Sequence, residues 1–395
     1  MQLFDYDRAT EVMDRAGVDL ILASSRPNVG YLADYWHVVS DEFYVLWDLN
    51  VVHQTLCGIP RDRARGPFLV AGADETTVLE RHDPWIKERH YWGPGYYVQT
   101  WKERNPDPGN PSETAAIVIG EKGFENGTIA VEMKYIGAGY LERLRQLLPG
   151  ATFVDAEPLL WRMRLVKTAE EIARSRESCK RTSAVWRELM DELEPGMTET
   201  DLARMFTTRF VEHGMTPERS YIMFGPAGKR LINGTPVPTD TPLKEGYFVR
   251  CDVQGRYEGY LCNLSRVIGF GEVTTSMKRA QVLVRGMVEN LAPELRPGAT
   301  ASGIRKLELR MYDRTGFKPV VPYTGHGVGR VVHEPPYLYE KDSTVLEPGI
   351  IVTLEPTVTF TEGGDLNISI EDQFVITETG NECLTKDAPL DLYLK

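Results

Sequence analysis

Three carboxylates in the second half of the chain are placed where a carboxylate is costly to bury. Asp252, Glu355 and Glu371 each follow a short apolar run, and His326 lies between two glycines in the segment YTGHGVG. A buried carboxylate is tolerated when it is paired or coordinates a metal. Each residue alone has a plain structural interpretation as a strand end, a loop carboxylate or a turn residue. Together they predict a metal-type or acid–base site.

The length and composition limit the class of protein that must position these groups. A chain of 395 residues is about right for two domains of ~100–200 residues each. It is 42% hydrophobic and 26% charged, which is typical of a globular protein, and it lacks the ~18–20 apolar residues of a membrane span. The net charge is −12, from 45 Lys and Arg against 57 Asp and Glu. An acidic balance argues against nucleic-acid binding and, with the missing span, no membrane partner is expected.

The cysteines indicate a reducing compartment. Five are scattered along the chain without CxxC spacing, and the first residues, MQLFDYDRAT, lack a basic region followed by an apolar stretch. We therefore predict a cytoplasmic protein. Cys251 and Cys262 lie beside candidate site segments, and we interpret them as buried thiols rather than nucleophiles.

Residues 1 to about 155 show the pattern of an α/β domain with parallel character. The opening predicts an amphipathic helix closed by Gly17, a buried strand over residues 18–23, and a turn at Arg26-Pro27-Asn28. Residues 82–110 are rich in Trp, Tyr, Pro and Gly and predict a long structured loop. Further strands are predicted at residues 67–71, 115–119 and 128–131, with a helix near residues 140–148.

Residues 156–395 predict an α+β domain. A long charged amphipathic helix begins near Trp161, and a second helix begins at Thr200. After Tyr221 short strands alternate with Gly and Pro turns, interrupted by helices over about 276–292 and 302–315. This mixture predicts an antiparallel sheet flanked by helices.

Four segments carry the candidate site residues, namely VRCDVQGRYEGYLCNLSR, YTGHGVGRVVHEPP, IIVTLEPTVTF and LNISIEDQFVITETG. Their order and spacing resemble the peptidase M24 family, the pita-bread group of prolidase, aminopeptidase P, methionine aminopeptidase and creatinase. RAGVDLILASSRPNVGYLADY is similar to the opening of the creatinase/prolidase N-domain, and RLVKTAEEI resembles the entry helix of the catalytic domain. The resemblance covers nearly the whole chain. It implies a creatinase-like α/β domain over 1–155 and an α+β pita-bread catalytic domain over 156–395.

The resemblance also implies a ligand set. In the metallopeptidase members two Asp, one His and two Glu hold two divalent ions that share a nucleophilic hydroxide. Asp252 matches the first Asp position, His326 the His, and Glu355 and Glu371 the two Glu. His333 resembles the second family imidazole, which contacts substrate rather than metal.

Three positions depart from the family pattern. The second Asp, expected eleven residues after the first, is Asn263, whose amide offers one neutral oxygen. The position of the substrate-binding His is Thr235, and that of the dipeptidase Arg is Ser369. A two-metal site should be weakened, so we expect one divalent ion (Mn, Zn, Fe or Co) or none. The candidate ligands, if any metal is bound, are Asp252, Asn263, His326, Glu355 and Glu371.

Two chemistries remain open for these residues. Without metal, crowding of Asp252, Glu355 and Glu371 raises at least one carboxyl pKa, leaving an acid beside His326 or His333 as base. With one metal, Asp252, His326 and Glu371 hold it, and its bound water is the nucleophile. Both favour a hydrolase that cleaves an amide or amidine C–N bond in a small molecule. The alternatives are a metal-dependent Xaa-Pro dipeptidase or aminopeptidase, a lyase acting on a small zwitterion, and a non-catalytic binding module.

Substrate contacts are predicted from the family segments. Thr235 and Ser369 occupy substrate-binding positions, and Lys229 with its neighbour Arg230 is a candidate for holding an acidic group. Family dimers close the site with the partner's N-domain, which makes the stretch around His37 and the segment His90-Tyr91-Trp92 candidate pocket linings, with aromatic packing as the alternative. Arg266 matches a family Arg of supporting architecture. We expect a homodimer that acts on a small molecule.

Overall fold

The computed structural model describes residues 1–35, 45–46, 51–52, 55–93, 110–225, 237–315, 317, 319, 321–360, 366–391 and 393–395. The chain divides into two compact units, Met1–Arg164 and Leu165–Lys395. The domain boundary expected at 155/156 lies nine residues before this division. None of the helices in the described ranges has the length and apolarity needed to cross a membrane.

The first unit is built on a mixed six-stranded sheet with the order β6-β5-β4-β1-β7-β8. The pairs β1–β7, β7–β8 and β5–β6 are parallel, whereas β4 is antiparallel to both β1 and β5. Strands β2 and β3 form a separate hairpin pair. The helices are α1 Tyr6–Ala16, α2 Arg26–Ala33, α3 Thr76–His82, α4 Pro111–Glu121, α5 Ala138–Leu147 and α6 Glu157–Leu165. The strands are β1 Leu20–Ala23, β2 Val45–Leu46, β3 Val51–Val52, β4 Leu56–Pro60, β5 Phe68–Gly72, β6 Glu88–Trp92, β7 Thr128–Val131 and β8 Thr152–Asp155.

Helix capping explains both where sequence reasoning succeeded and where it failed in this unit. Helix α1 is closed by Gly17, as predicted, and this glycine has the left-handed φ of 64° that is typical of a helix end. The predicted turn at Arg26-Pro27-Asn28 is wrong. Ser25 caps a helix there, and Pro27 is accommodated in its first turn.

The predicted strand at residues 115–119 is also wrong, because these residues lie inside α4. Asn110 caps this helix and Pro111 begins it. A five-residue apolar run does not by itself distinguish a strand from a buried helix. The predicted loop over 82–110 contains β6, and residues 94–109 lie outside the described residues.

The second unit carries two sheets, β19-β11-β10-β9 and β13-β12-β14-β17-β18, and a separate β15–β16 pair. Its helices are α7 Ala169–Asp191, α8 Glu199–Glu212, α9 Thr275–Leu291 and α10 Ala301–Asp313. Its strands are β9 Thr216–Gly225, β10 Tyr247–Tyr257, β11 Tyr260–Phe270, β12 His326–Gly327, β13 Glu334–Tyr337, β14 Ile351–Leu354, β15 Thr357–Phe360, β16 Leu366–Ser369, β17 Asp372–Ile376, β18 Asn381–Cys383 and β19 Tyr393–Leu394. The α/β and α+β classes predicted for the two units are confirmed.

Antiparallel register brings the candidate residues onto one face. Along β10–β11, Asp252 pairs with Ser265, and Gln254 pairs with Asn263. An isolated bridge joins Ser265 to Glu371, at the start of β17. Strand β14 stops at Leu354, so Glu355 is the first residue after it. The apolar faces of these strands pack against α7 and α8 in one core and against α9 and α10 in another.

Candidate active site

His326 is held so that one ring nitrogen faces the site. Its side chain is fully buried, and Nδ1 lies 3.0 Å from the carbonyl oxygen of Gly327, which can only accept. The backbone N–H of His326 donates to Thr353 Oγ1 at 3.2 Å. Because Nδ1 carries the proton, the Nε2 lone pair points at Glu355 and Glu371.

Glu355 and Glu371 complete a compact donor set with His326. Nε2 of the histidine lies 3.3 Å from Glu355 Oε1 and 3.6 Å from Glu371 Oε1. One ligand atom from each of the three residues lies within 4.8 Å of the others. Nε2 and Glu355 Oε1 are buried and have no hydrogen-bond donor within the described ranges. Imidazole and carboxyl acceptors that converge on one point form a site for a cation.

The electrostatics of the metal-free cluster follow from this crowding. Burial, and then the neighbouring His333, lower the pKa of His326 to about 3. Burial, and then the charge of Asp252, raise the pKa of Glu355 to about 8. Burial and the Glu355 carboxylate also raise the pKa of Glu371. At neutral pH the His326 imidazole is therefore neutral, and Glu355 holds a proton that a bound cation would displace.

Asn263 presents its amide nitrogen, not its oxygen, to the cluster. Nδ2 donates to Glu371 Oε1 at 2.7 Å, while Oδ1 accepts from Gln254 Nε2 at 3.2 Å. The backbone N–H of Asn263 donates to Gln373 Oε1 at 3.1 Å. In this arrangement Asn263 orients Glu371 by a hydrogen bond and does not offer the free oxygen of a metal ligand.

Asp252 lies beside the cluster and is paired with an arginine on its own strand. Arg250 Nη2 is 3.2 Å from Asp252 Oδ2, and each side chain is 16% exposed. The other carboxylate oxygen, Oδ1, is buried and accepts no hydrogen bond from the described residues. Burial raises the pKa of Asp252, and the Arg250 charge opposes that rise. Asp252 is not among the three residues of the compact donor set.

His333 lies on the open side of His326. The ring centroids of the two imidazoles are 4.1 Å apart, and His333 is exposed. Partial loss of solvent around the ring and the charge of Arg219 lower the pKa of His333. The Tyr323 ring packs edge-on against His326 at 6.1 Å, and burial and the three carboxylates raise the pKa of its hydroxyl.

A supporting shell fixes the backbone that carries these side chains. The Arg266 guanidinium donates to the carbonyl oxygen of Glu371 at 2.8 Å and to Asp372 Oδ1 at 2.6 Å. The backbone N–H of Glu355 donates to the carbonyl oxygen of Thr324 at 2.7 Å, and the Thr324 hydroxyl donates to buried Glu308. Arg266 therefore has a structural position, as the sequence indicates.

The remaining predicted substrate contacts are only partly within the described residues. Ser369 is buried and its hydroxyl accepts from Thr357 Oγ1 at 3.1 Å, so it contributes no charge to the site. His37, Lys229 and Thr235 lie outside the described residues. His90 is half-buried in the first unit, where its Nε2 lies 3.2 Å from Glu88 Oε1.

The two cysteines beside the site segments, Cys251 and Cys262, are both buried. Burial, and then Asp252, raise the pKa of the Cys251 thiol. A buried thiol with a raised pKa is a poor nucleophile.

Sequence reasoning missed Arg250 and Gln254. Both are two residues from Asp252, and alternate residues of a strand share a face. Applying this period to VRCDVQG would have identified a cation and an amide beside the candidate carboxylate.

The fold and site together define an α/β domain followed by an α+β domain that holds a His and two Glu on adjoining strands. Residues 173–378 match the family described as metallopeptidase family M24, and residues 6–166 match the creatinase/prolidase N-terminal domain. The chain belongs to the M24 family, has the pita-bread fold and is a hydrolase of that family. The resemblance stated from the motifs is confirmed.

Similar proteins span most of the chain. An ectoine hydrolase of Halomonas elongata is 26% identical over 412 residues, covering 98% of this chain and 95% of that protein. An Xaa-Pro dipeptidase of Lactobacillus helveticus is 25% identical over 282 residues, covering 71% of this chain and 76% of that protein. The structure of an Xaa-Pro dipeptidase from Bacillus anthracis has a TM-score of 0.80 at 21% identity, covering 99% of both chains.

Proposed function

We propose that this chain hydrolyses an amide or amidine C–N bond in a small molecule, with one divalent ion held by His326, Glu355 and Glu371. The observation that supports the proposal is the convergence of one imidazole and two carboxyl groups at one point, with ligand atoms within 4.8 Å and buried acceptors that lack donors among the described residues. One nitrogen and two carboxylate oxygens suit Mn, Zn, Fe or Co and leave a position open for water. A bound divalent ion supplies a Lewis acid and lowers the pKa of that water.

The two histidines have different roles in this proposal. His326 is fully buried and donates from Nδ1 to a backbone carbonyl, so only its Nε2 lone pair is available and it serves as a ligand. His333 is exposed beside it and has a lowered pKa, so its imidazole is neutral at pH 7. A neutral imidazole at the mouth of the site accepts a proton from the attacking water and returns it to the leaving nitrogen.

Three side chains argue against an ordinary Xaa-Pro peptidase. Asn263 donates to Glu371 where a bridging carboxylate is needed for two metal ions. Ser369 is a buried hydroxyl where the dipeptidase pattern has a cation for the substrate carboxylate. Thr235 stands where that pattern has an imidazole. A small amide or amidine substrate does not need these groups.

Metal content and substrate range test this proposal together. Protein purified without chelator would be measured for bound metal and assayed with ectoine (a cyclic amidine), a simple amide and an Xaa-Pro dipeptide. We expect one equivalent of divalent metal per chain and turnover of an amidine or amide, with little Xaa-Pro cleavage. Two equivalents with brisk Xaa-Pro cleavage would overturn the proposal in favour of the dipeptidase.

The assembly and compartment belong to the proposal as well. We expect a homodimer, checked by light scattering coupled to size-exclusion chromatography. A single monomer mass at micromolar concentration would contradict it. Cytoplasmic location remains a prediction from the cysteine pattern, and fractionation of cells expressing the tagged full chain tests it.

A further inference from the structure

Arg250 places a fixed positive charge beside the Asp252 carboxylate. It lies on β10, two residues before Asp252, so both side chains are on the same face of the strand. Nη2 lies 3.2 Å from Asp252 Oδ2. Arg250 Nε is buried and has no acceptor among the described residues.

The guanidinium acts on the whole carboxylate group. Its positive charge favours the ionised forms of Asp252, Glu355 and Glu371, whereas burial favours their protonated forms. A second dication beside Asp252 would meet this fixed positive charge at short range.

The charges of the site balance with Arg250 counted in. Asp252, Glu355 and Glu371 carry three negative charges when ionised, and Arg250 with one divalent ion carries three positive charges. The two-metal pattern of the family balances in a different way, with four carboxylates against two dications. Here the fourth carboxylate is replaced by Asn263, and the second dication by a side chain of the same strand. Buried charges are tolerated when they are matched in this way.

We infer that Arg250 is a built-in replacement for a second metal ion, and that it and Asn263 together set the divalent-metal stoichiometry of this site at one. The inference rests on the proposed metal site of His326, Glu355 and Glu371. Asn263 alone does not account for the exclusion, because Asp252 would still be paired with a guanidinium if residue 263 were a carboxylate. Removing both groups restores four carboxylates and leaves room for a second dication.

Manganese titration of the full-length protein tests the inference. Mn²⁺ binding would be followed by calorimetry and by electron paramagnetic resonance, in which two neighbouring Mn²⁺ ions give a spin-coupled spectrum. We expect one equivalent for the wild type, one for Asn263→Asp, and two, with the coupled spectrum, for Arg250→Met/Asn263→Asp. The matched control is Arg250→Lys/Asn263→Asp, which keeps the positive charge and should bind one.

Two results would overturn the inference. One is a second equivalent in Asn263→Asp alone, which would mean that Arg250 excludes nothing. The other is a folded double variant that gains no ion over Asn263→Asp. If Arg250→Met/Asn263→Asp fails to fold by circular dichroism, Arg250→Gln/Asn263→Asp gives the same comparison.

The proposed function fails alone when the wild type binds one Mn²⁺ but hydrolyses none of the amide, amidine and dipeptide substrates. The inference about Arg250 is then still decided, because it depends on the ion gained between Asn263→Asp and the double variant.

Discussion

Glu371 and Asp372 are neighbours in the chain, yet they lie in opposite electrostatic environments. Asp372 is buried and accepts from Arg266 Nη2 at 2.6 Å and from Thr385 Oγ1 at 2.5 Å. Glu371 is equally buried, but burial and the Glu355 carboxylate raise its pKa, and its Oε1 faces the Nε2 lone pair of His326. Successive residues of a strand point to opposite faces, and the face with Asp372 carries matched charges (the satisfied face). The face with Glu371 has an amide donor, Asn263, but no cation in contact among the described residues (the unsatisfied face).

The contrast separates groups that stabilise the fold from groups that await a ligand. Lys167 and Glu334 form a second satisfied pair, with Nζ 2.7 Å from Oε1 and both side chains almost fully buried. Satisfied buried charges are sensitive to the loss of one partner, because the other remains buried without compensation. His326, Glu355 and Glu371 have no cation in contact among the described residues, so changing one of them should reduce activity more than stability.

Among the changes on the unsatisfied face, Glu355→Gln should have the largest effect on activity. The amide keeps the shape but loses the charge that binds metal and carries a proton, so kcat should fall ~10²–10⁴-fold. Thermal unfolding should change little, because Glu355 Oε1 accepts no hydrogen bond from the described residues. Exposed Glu347→Gln, eight residues before Glu355, is the control and should retain full activity. Near-full activity of Glu355→Gln would show that the site is misplaced.

Changing Arg266 to Met tests the satisfied face. Asp372 would stay buried without its cation, so the free energy of unfolding should fall by ~3–5 kcal/mol. Urea unfolding monitored by circular dichroism measures this loss. Arg204→Met, at an exposed pair with Asp201, should leave stability nearly unchanged. Equal stability of the Arg266 and Arg204 variants would remove the distinction between the two faces.

Changing His333 to Ala tests the proton carrier at the mouth of the site. We expect kcat to fall ~10²-fold, at the low end for acid–base catalysis. Metal content should stay at the wild-type value, because His326 and not His333 belongs to the donor set. The loss of bound metal together with activity would instead make His333 a ligand.

The pH dependence of metal affinity sharpens the same comparison. The pKa of Glu355 is raised to about 8 in the metal-free protein, so below that pH a proton must leave before a cation binds. The dissociation constant for Mn²⁺ should therefore fall about tenfold per pH unit as pH rises toward 8, and then level off. Calorimetry between pH 6 and pH 9 measures this slope. A dissociation constant that does not change with pH would contradict a protonated Glu355. In Glu355→Gln the dependence of the dissociation constant on pH should be weaker than in the wild type.

Local signals predicted much of the fold. Gly17 ends α1, the strand over residues 128–131 coincides with β7, and the helices near 276–292 and 302–315 correspond to α9 and α10. The failures at Arg26-Pro27-Asn28 and at residues 115–119 came from ambiguous local patterns. A Pro near a helix start resembles a turn, and a short apolar run fits a strand or a buried helix equally well.

The sequence by itself determined the family and the positions at which chemistry is expected. Motif spacing identified His326, Glu355 and Glu371, and it showed an amide at position 263, because residue type and order are properties of the chain alone. Only the tertiary structure decided which of these groups have partners. The bond from Asn263 to Glu371 joins residues 108 positions apart, and the Arg250–Asp252 pair faces carboxyls from distant strands. Hydrogen-bond satisfaction and electrostatic balance depend on contacts across strands, which the order of residues does not specify.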